Sequence, residues 1–203
     1  MSMVNRIAVF LLSLLLAVPF QAHADDSSPR IVVQNLCGGL LQSMKQAAQL
    51  GFQGRADKLT KVVTDSYDMP AATKATLGTS FAKLSADEAH QLTDAFTRFS
   101  IASYADQFDG WDGEAFEVGD PRPSTDGTVI VPSRIVNKAG QGTEIDYLLH
   151  QNGDRWQIVD VLLDGTISQT AVRRSEFVSI FRRDGFPGLI GMLNQKIAAM
   201  AAK

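Results

Sequence analysis

Thr143-Glu144-Ile145-Asp146-Tyr147-Leu148-Leu149-His150-Gln151-Asn152-Gly153-Asp154-Arg155-Trp156-Gln157-Ile158-Val159-Asp160-Val161-Leu162-Leu163 is the stretch on which the reading of this chain turns. Two runs rich in β-branched, aromatic and aliphatic residues flank an Asn-Gly pair, the strongest short-range sign of a tight hairpin. Side chains alternate across a strand, so Ile145, Tyr147 and Leu149 share one face. Thr143–Gln151 and Arg155–Leu163 therefore read as antiparallel neighbours.

Working toward the N-terminus, Thr128–Asn137 reads as a further strand with Val129, Val131 and Ile135 on one side. Ala139-Gly140-Gln141-Gly142 forms a turn, and a weaker strand around Phe116–Val118 pairs at the edge. Asp164-Gly165 closes the ladder at the other end. Before Trp111 the period changes from alternating to helical. Ser28-Pro29 reads as an N-cap with proline in the first turn, followed by Val33, Leu36, Leu40, Leu41 and Met44 on one stripe. Gly51 and Gly54 interrupt that pattern. Leu59, Val62, Val63 and Tyr67 then form a second stripe, and a short helical turn spans Ala71–Leu77. Ser85-Ala86-Asp87-Glu88 is a capping box opening the longest helix, whose Leu92, Phe96, Phe99, Ser103 and Phe108 trace one face.

After the sheet, Val172, Phe177, Ile180 and Phe181 give a helical stripe that stops at Asp184-Gly185. Pro187 restarts a last helix bearing Leu189, Ile190, Leu193 and Ile197. Helices, antiparallel sheet, helices is the order of an α+β domain in which a curved sheet is covered by N-terminal and C-terminal helices.

Arg6, the apolar run Ile7–Phe20 and Ala22-His23-Ala24 together read as an export signal cleaved after Ala24. The run has 14 residues, short of the roughly 20 a membrane-spanning helix needs. Residues 25–203 then form one soluble domain. Net charge is −3 for the whole chain and one unit more negative once Arg6 is gone, with charges interspersed. Such a surface does not suit nucleic acid. Cys37 is the only cysteine, so no disulfide forms within the chain, and its place among Val33, Leu36 and Leu40 reads as core.

Converging metal ligands are not found: His90 and His150 are far apart and on different element types. No cofactor is expected. Ser168, His150 and Asp160 can be assembled on paper into a Ser-His-Asp set, but no strand-to-helix elbow surrounds any serine. Asp160 sits in the apolar run Ile158–Leu163, where a carboxylate needs partners. It accepts hydrogen bonds from a helix end or pairs with Arg173 or Arg174; alternatively it serves an isomerase or hydrolase as general base with Tyr147 or His150. A third reading is an adaptor that binds only protein, with a filled core.

Trp156-Gln157-Ile158-Val159-Asp160-Val161, Asp164-Gly165-Thr166-Ile167-Ser168 and Arg173-Arg174-Ser175-Glu176-Phe177 resemble the MlaC, or toluene-tolerance auxiliary, family of periplasmic lipid carriers. That family's pattern is a strand ending Trp-x-Val-x-Asp-Val, then Gly-x-Ser and a helix with Arg-Ser-x-Phe. The similarity runs from about Leu36 to Lys196 and looks closest to the hopanoid-associated HpnM branch. Ser80-Phe81 departs from the Trp-Arg pair usual after Leu77-Gly78.

The resemblance implies a helix-covered sheet enclosing an apolar cavity for lipid tails. Its cargo would be a phospholipid or a hopanoid, and its partners inner-membrane and outer-membrane transport complexes. Helix and strand faces nominate Phe96, Phe99, Tyr104, Phe108, Val131, Ile145, Tyr147, Leu149, Ile158, Val161 and Leu163 as its walls. Arg173 and Arg174 are expected to touch a headgroup or a partner.

Overall fold

The computed structural model describes residues 28–203; the expected signal segment lies outside the described residues. Helix α1 (Pro29–Lys45) starts where Ser28 Oγ accepts the Ile31 N–H, with proline in the first turn. Helix α2 (Ala47–Ser66) is kinked where Gly51 takes φ 59°, so Gly51 interrupts the helix as expected while Gly54 continues it. Helix α3 (Met69–Leu77) leads through a 3₁₀ turn, Gly78–Lys83, to α4 (Ala86–Gln107). At the start of α4 both hydrogen bonds of the Ser85/Glu88 capping box form. Helix α5 (Gln169–Ala201) carries the C-terminal stripes as one element kinked at Gly185, φ 67°, with Pro187 just beyond. It is longer than α4, contrary to the expectation for α4.

Between α4 and α5 lie β1 (Ala115–Val118), β2 (Arg122–Pro123), β3 (Val129–Val131), β4 (Ser133–Val136), β5 (Gly142–Asn152), β6 (Arg155–Leu163) and β7 (Ile167–Ser168). All pair antiparallel. The strand expected over Thr128–Asn137 is divided at Pro132, which has no N–H to give to a ladder and whose carbonyl instead accepts from Gly119 N at 2.8 Å. The outer pair β1 and β2 is divided in register with it, and β5 runs past both pieces, bonded to β4 near Thr143 and to β3 near Tyr147.

The β5–β6 turn is formed by Gly153 and Asp154, with Asn152 paired to Arg155. The hairpin is the one expected, shifted by one residue. Only Gly153 of the two takes positive φ, 61°, as a type II′ turn requires at its first central position. A β-bulge lies opposite Leu148 and Leu149, whose partners are Asp160 and Ile158. The extra residue, Val159, lets Ile158 and Val161 face Leu149 and Tyr147 although they stand three apart.

The core joins Leu36, Cys37 and Leu40 of α1, Leu59 and Val63 of α2, Leu92 and Phe99 of α4, and Phe177, Leu189 and Leu193 of α5 to Val131, Leu149 and Ile158 of the sheet. Burial pushes the Cys37 thiol up to about 12, so it is a neutral apolar filler. Val172, placed by the sequence in the apolar stripe of α5, is instead exposed. No helix among the described residues is long and apolar enough to cross a membrane.

One seam ties the helical layer to the sheet through polar groups. At the α2–α3 junction, Asp68 N donates to Ile158 O at 3.0 Å and Gln157 Nε2 donates to Tyr67 O at 3.1 Å. The Asp68 carboxylate caps α3 through Ala71 N at 2.9 Å, pairs with His150 Nε2 at 2.9 Å and accepts from Asn152 Nδ2 at 3.1 Å. Asp68→Ala removes the cap and leaves His150 and Asn152 without their acceptor. It should lower unfolding free energy by about 2–4 kcal/mol. Urea denaturation checks this; a loss under about 1 kcal/mol would contradict the role given to the seam.

Candidate functional site

Above the seam the helices stand off from the sheet. The gap between β5–β6 and helices α3, α4 and the start of α5 holds a cavity of about 120 Å³ that opens to solvent. Of the residues nominated as walls, Phe96, Tyr104 and Phe108 of α4, Ile145 and Tyr147 of β5, and Val161 and Leu163 of β6 line it. Phe99, Val131, Leu149 and Ile158 do not; they are buried in the core. Phe99 belongs to the buried stripe Leu92, Ala95, Phe99, Ala102, and its ring lies 6.5 Å from that of Phe177 on α5.

The cavity stripe of α4 is Phe96, Ser100, Ser103, Tyr104 and Gln107. Its three- and four-residue intervals are visible in the sequence, and Ser103 lies on the face expected there, whereas Ser100 and Gln107, being polar, do not mark an apolar face. Tyr67, Met69 and Ala72 from the α2–α3 junction were missed because nothing local shows which loop will close a distant cavity.

All three tyrosines of the protein, Tyr67, Tyr104 and Tyr147, meet in this one cavity. The Tyr67 and Tyr104 hydroxyls are in direct hydrogen-bond contact, and the Tyr104 ring stacks on Phe108 with centroids 5.9 Å apart. Burial drives the phenols upward: Tyr104 to about 12, Tyr67 and Tyr147 well above their ordinary value. They are neutral hydrogen-bonding groups at physiological pH.

Asp160 lines the cavity, and its partners come from a helix end, as one sequence reading held. Oδ1 accepts from Thr170 N at 3.0 Å and from Val161 N at 2.8 Å, and Oδ2 accepts from Ser168 Oγ at 2.5 Å. Neither Arg173 nor Arg174 forms an ion pair with it. His150 faces Asp68 instead, so Ser168, His150 and Asp160 do not come together as a triad. Arg173 lines the cavity with its guanidinium 5.0 Å from the Phe99 ring centroid and 5.8 Å from that of Phe96. Arg174, one residue on, points the other way. Its Nε donates to Ala75 O at 2.8 Å, and it borders a groove between α3 and α5 with Arg182 and Arg183.

Residues 34–195 match the family model described as MlaC protein. The chain belongs to the MlaC family. No curated protein matches it by sequence. Among solved structures, it is similar to the phospholipid-binding protein from Ralstonia solanacearum, solved in complex with a phospholipid. The two share 18% identity at a TM-score of 0.74, over 86% of this chain and 99% of that one.

In this MlaC family member, Asp160 and Ser168, both within the segments that carry the resemblance, together build the start of α5 and so set Arg173 at the cavity. Ser80 and Phe81, which stand where the family pattern has Trp-Arg, are packed inward in the 3₁₀ turn beside α3.

The phenols offer a direct check on how closed this site is. Their raised folded values mean that their contribution to stability is complete below the unfolded phenol value of about 10. It is lost as pH rises beyond that, because the unfolded state releases its protons first. Phenolate absorbance should therefore rise cooperatively and together with loss of far-UV circular dichroism above about pH 10. A gradual rise with the fold intact would show the tyrosines to be open to water.

Proposed function

We propose that this protein is a non-enzymatic lipid carrier of the periplasm, holding lipid tails in the cavity between sheet and helices. The observation that carries the reading is the open, largely apolar hollow where a helix-on-sheet domain would ordinarily be packed shut. Membership of the MlaC family supports it, as does a shared fold with a protein solved around a phospholipid. An acyl chain of about 15 methylenes costs on the order of 12 kcal/mol to expose to water at ~0.8 kcal/mol per CH₂. A carrier lowers that barrier by exchanging water for side chains.

In this proposal residues 1–24 direct export and residues 25–203 act as one domain. Phe96, Tyr104, Phe108, Ile145, Tyr147, Val161 and Leu163 contact the tails directly, while Phe99, Val131, Leu149 and Ile158 support them from behind. The cargo is a phospholipid or, as in the HpnM branch, a hopanoid, passed between complexes of the inner and outer membranes. Arg174, outside the cavity, is assigned to contact with such a partner. An isomerase or hydrolase using Asp160 is the weaker reading, because that carboxylate is engaged in holding the start of α5.

Mass spectrometry of lipid extracted from protein purified without detergent from its native host should find near-stoichiometric lipid and identify it. Ser100→Phe, which pushes a ring into the cavity from α4, should reduce retained lipid at least severalfold while leaving the protein folded. Lipid-free native protein, or retention unchanged by Ser100→Phe, would count against the cavity as the carrying site.

A further inference from the structure

We infer that the groove between α3 and α5 is a docking site for an acidic polypeptide segment of a partner protein, gripped by Arg174, Arg182 and Arg183. The inference rests on the carrier reading, which requires a partner to collect from or deliver to, and it names the chemistry that partner presents.

The chain as a whole carries a net charge of −3, so an acidic molecule is repelled by the protein's overall field. In this groove the sign reverses. Three exposed arginines border it, and no carboxylate among the described residues lines it. Arg174 and Arg182 lie on one face of α5, two turns and about 12 Å apart along the axis. Arg182 has no ion pair among the described residues. Arg174 is held only through its Nε on Ala75 O, which leaves its two Nη groups for another acceptor. Arg183 pairs with its chain neighbour Asp184 at 2.7 Å, an exposed contact that a second carboxylate can displace at little cost. The helix break at Gly185 favours cations in the turn before it and so suits Arg182 and Arg183. It offers nothing to Arg174 near the other end of the helix, and Arg174 is the residue that turns a pair of helix-end cations into a groove lined with positive charge.

The rest of the lining suits a chain that bears carboxylates. Thr79, Ser175 and Ser179 add hydroxyl donors, and a guanidinium fork donates to a carboxylate through two N–H groups at once. The site is recessed between the 3₁₀ turn Gly78–Lys83 and α5, so a polypeptide segment can lie within it, whereas the flat surface of a bilayer meets only its rim. Apolar side chains that would enter a membrane are elsewhere: of the exposed Trp111, Ile167 and Val172, none lines the groove. The turn of α5 that presents Arg174 to the groove presents Arg173 to the cavity, and the two sites share no lining residue. A partner docked here is separated from the cargo by the width of one helix, about 10 Å, and does not compete with it.

The test follows the fluorescence anisotropy of a labelled dodecapeptide of four Glu-Ala-Ala repeats, with its Lys-Ala-Ala counterpart as control, on titration with the protein. Wild type should bind the acidic peptide and not the basic one, and binding should weaken severalfold as salt rises from about 20 to about 200 mM. Arg182→Ser combined with Arg183→Ser should lower the affinity about fivefold. Arg155→Ser, which removes an exposed arginine from the β5–β6 hairpin, should leave it unchanged within about twofold. Ser179→Glu, which sets a carboxylate among the arginines, should weaken the peptide as far as the double variant does, and it serves if that variant does not fold. Lipid extracted from the groove variants should equal that of wild type. Failure of wild type to bind the acidic peptide, or equal binding by wild type and the groove variants, overturns the inference while the carrier reading, which is read from extracted lipid, stands. Loss of lipid together with peptide binding would place the arginines in the cargo site and overturn it too. Phosphatidylglycerol vesicles that bind through these arginines where the peptide does not would overturn it in favour of a membrane surface.

Discussion

The hydrogen-bonded seam at Tyr67-Asp68 is the constraint on which the site depends. Hydrophobic burial is non-directional and would close any gap between a sheet and a helical layer. Something directional must fix the spacing at a point. Here the sheet supplies Ile158 O, Gln157, His150 and Asn152, and the α2–α3 junction supplies Asp68 and the Tyr67 carbonyl. With the junction bonded to β6 at backbone distance, α3 starts at a fixed height and its Met69 and Ala72 become part of the wall. The Tyr67 side chain then reaches into the hollow while its carbonyl is held by the sheet.

The sheet contributes by being uneven. Pro132 divides one strand, β1 and β2 follow the same division, and the bulge at Val159 bends β6 where it meets α5. Bulges raise local twist and redirect side chains. The bulge sits directly before Asp160, the residue that receives the first turn of α5. A flat sheet would meet straight helices along their length; this one meets them at the α2–α3 junction and in the core around Leu149, and parts from them near Leu163.

Local chemistry was well written in the sequence. The Ser85/Glu88 capping box, the proline-started α1, the hairpin after Asn152 and the core position of Cys37 each need only a few adjacent residues, and each is present in the structure. The family resemblance placed Asp160 and Ser168 in one motif, and their hydrogen bond shows the physical reason. What failed to show depends on how far apart two layers stand. Periodicity assigns Phe99, Leu149 and Ile158 to inward faces, correctly, but cannot distinguish an inward face that meets other side chains from one that meets a void. The one-residue shift of the hairpin turn and the bulge at Val159 are choices of register, settled by pairing along the whole of β5. Tyr67 escaped notice as a wall residue because its role follows from a loop docking against a strand some ninety positions later.

The polar groups of the cavity divide by whether the protein itself satisfies them. Asp160 has its partners in Ser168, Thr170 and Val161, and Ser103 bonds to the Phe99 carbonyl. These groups shape the site without being available to a ligand. Arg173 has no such partner among the described residues: it lies part-buried against the Phe96 and Phe99 rings, whose faces favour the cation while its N–H groups stay within reach of solvent.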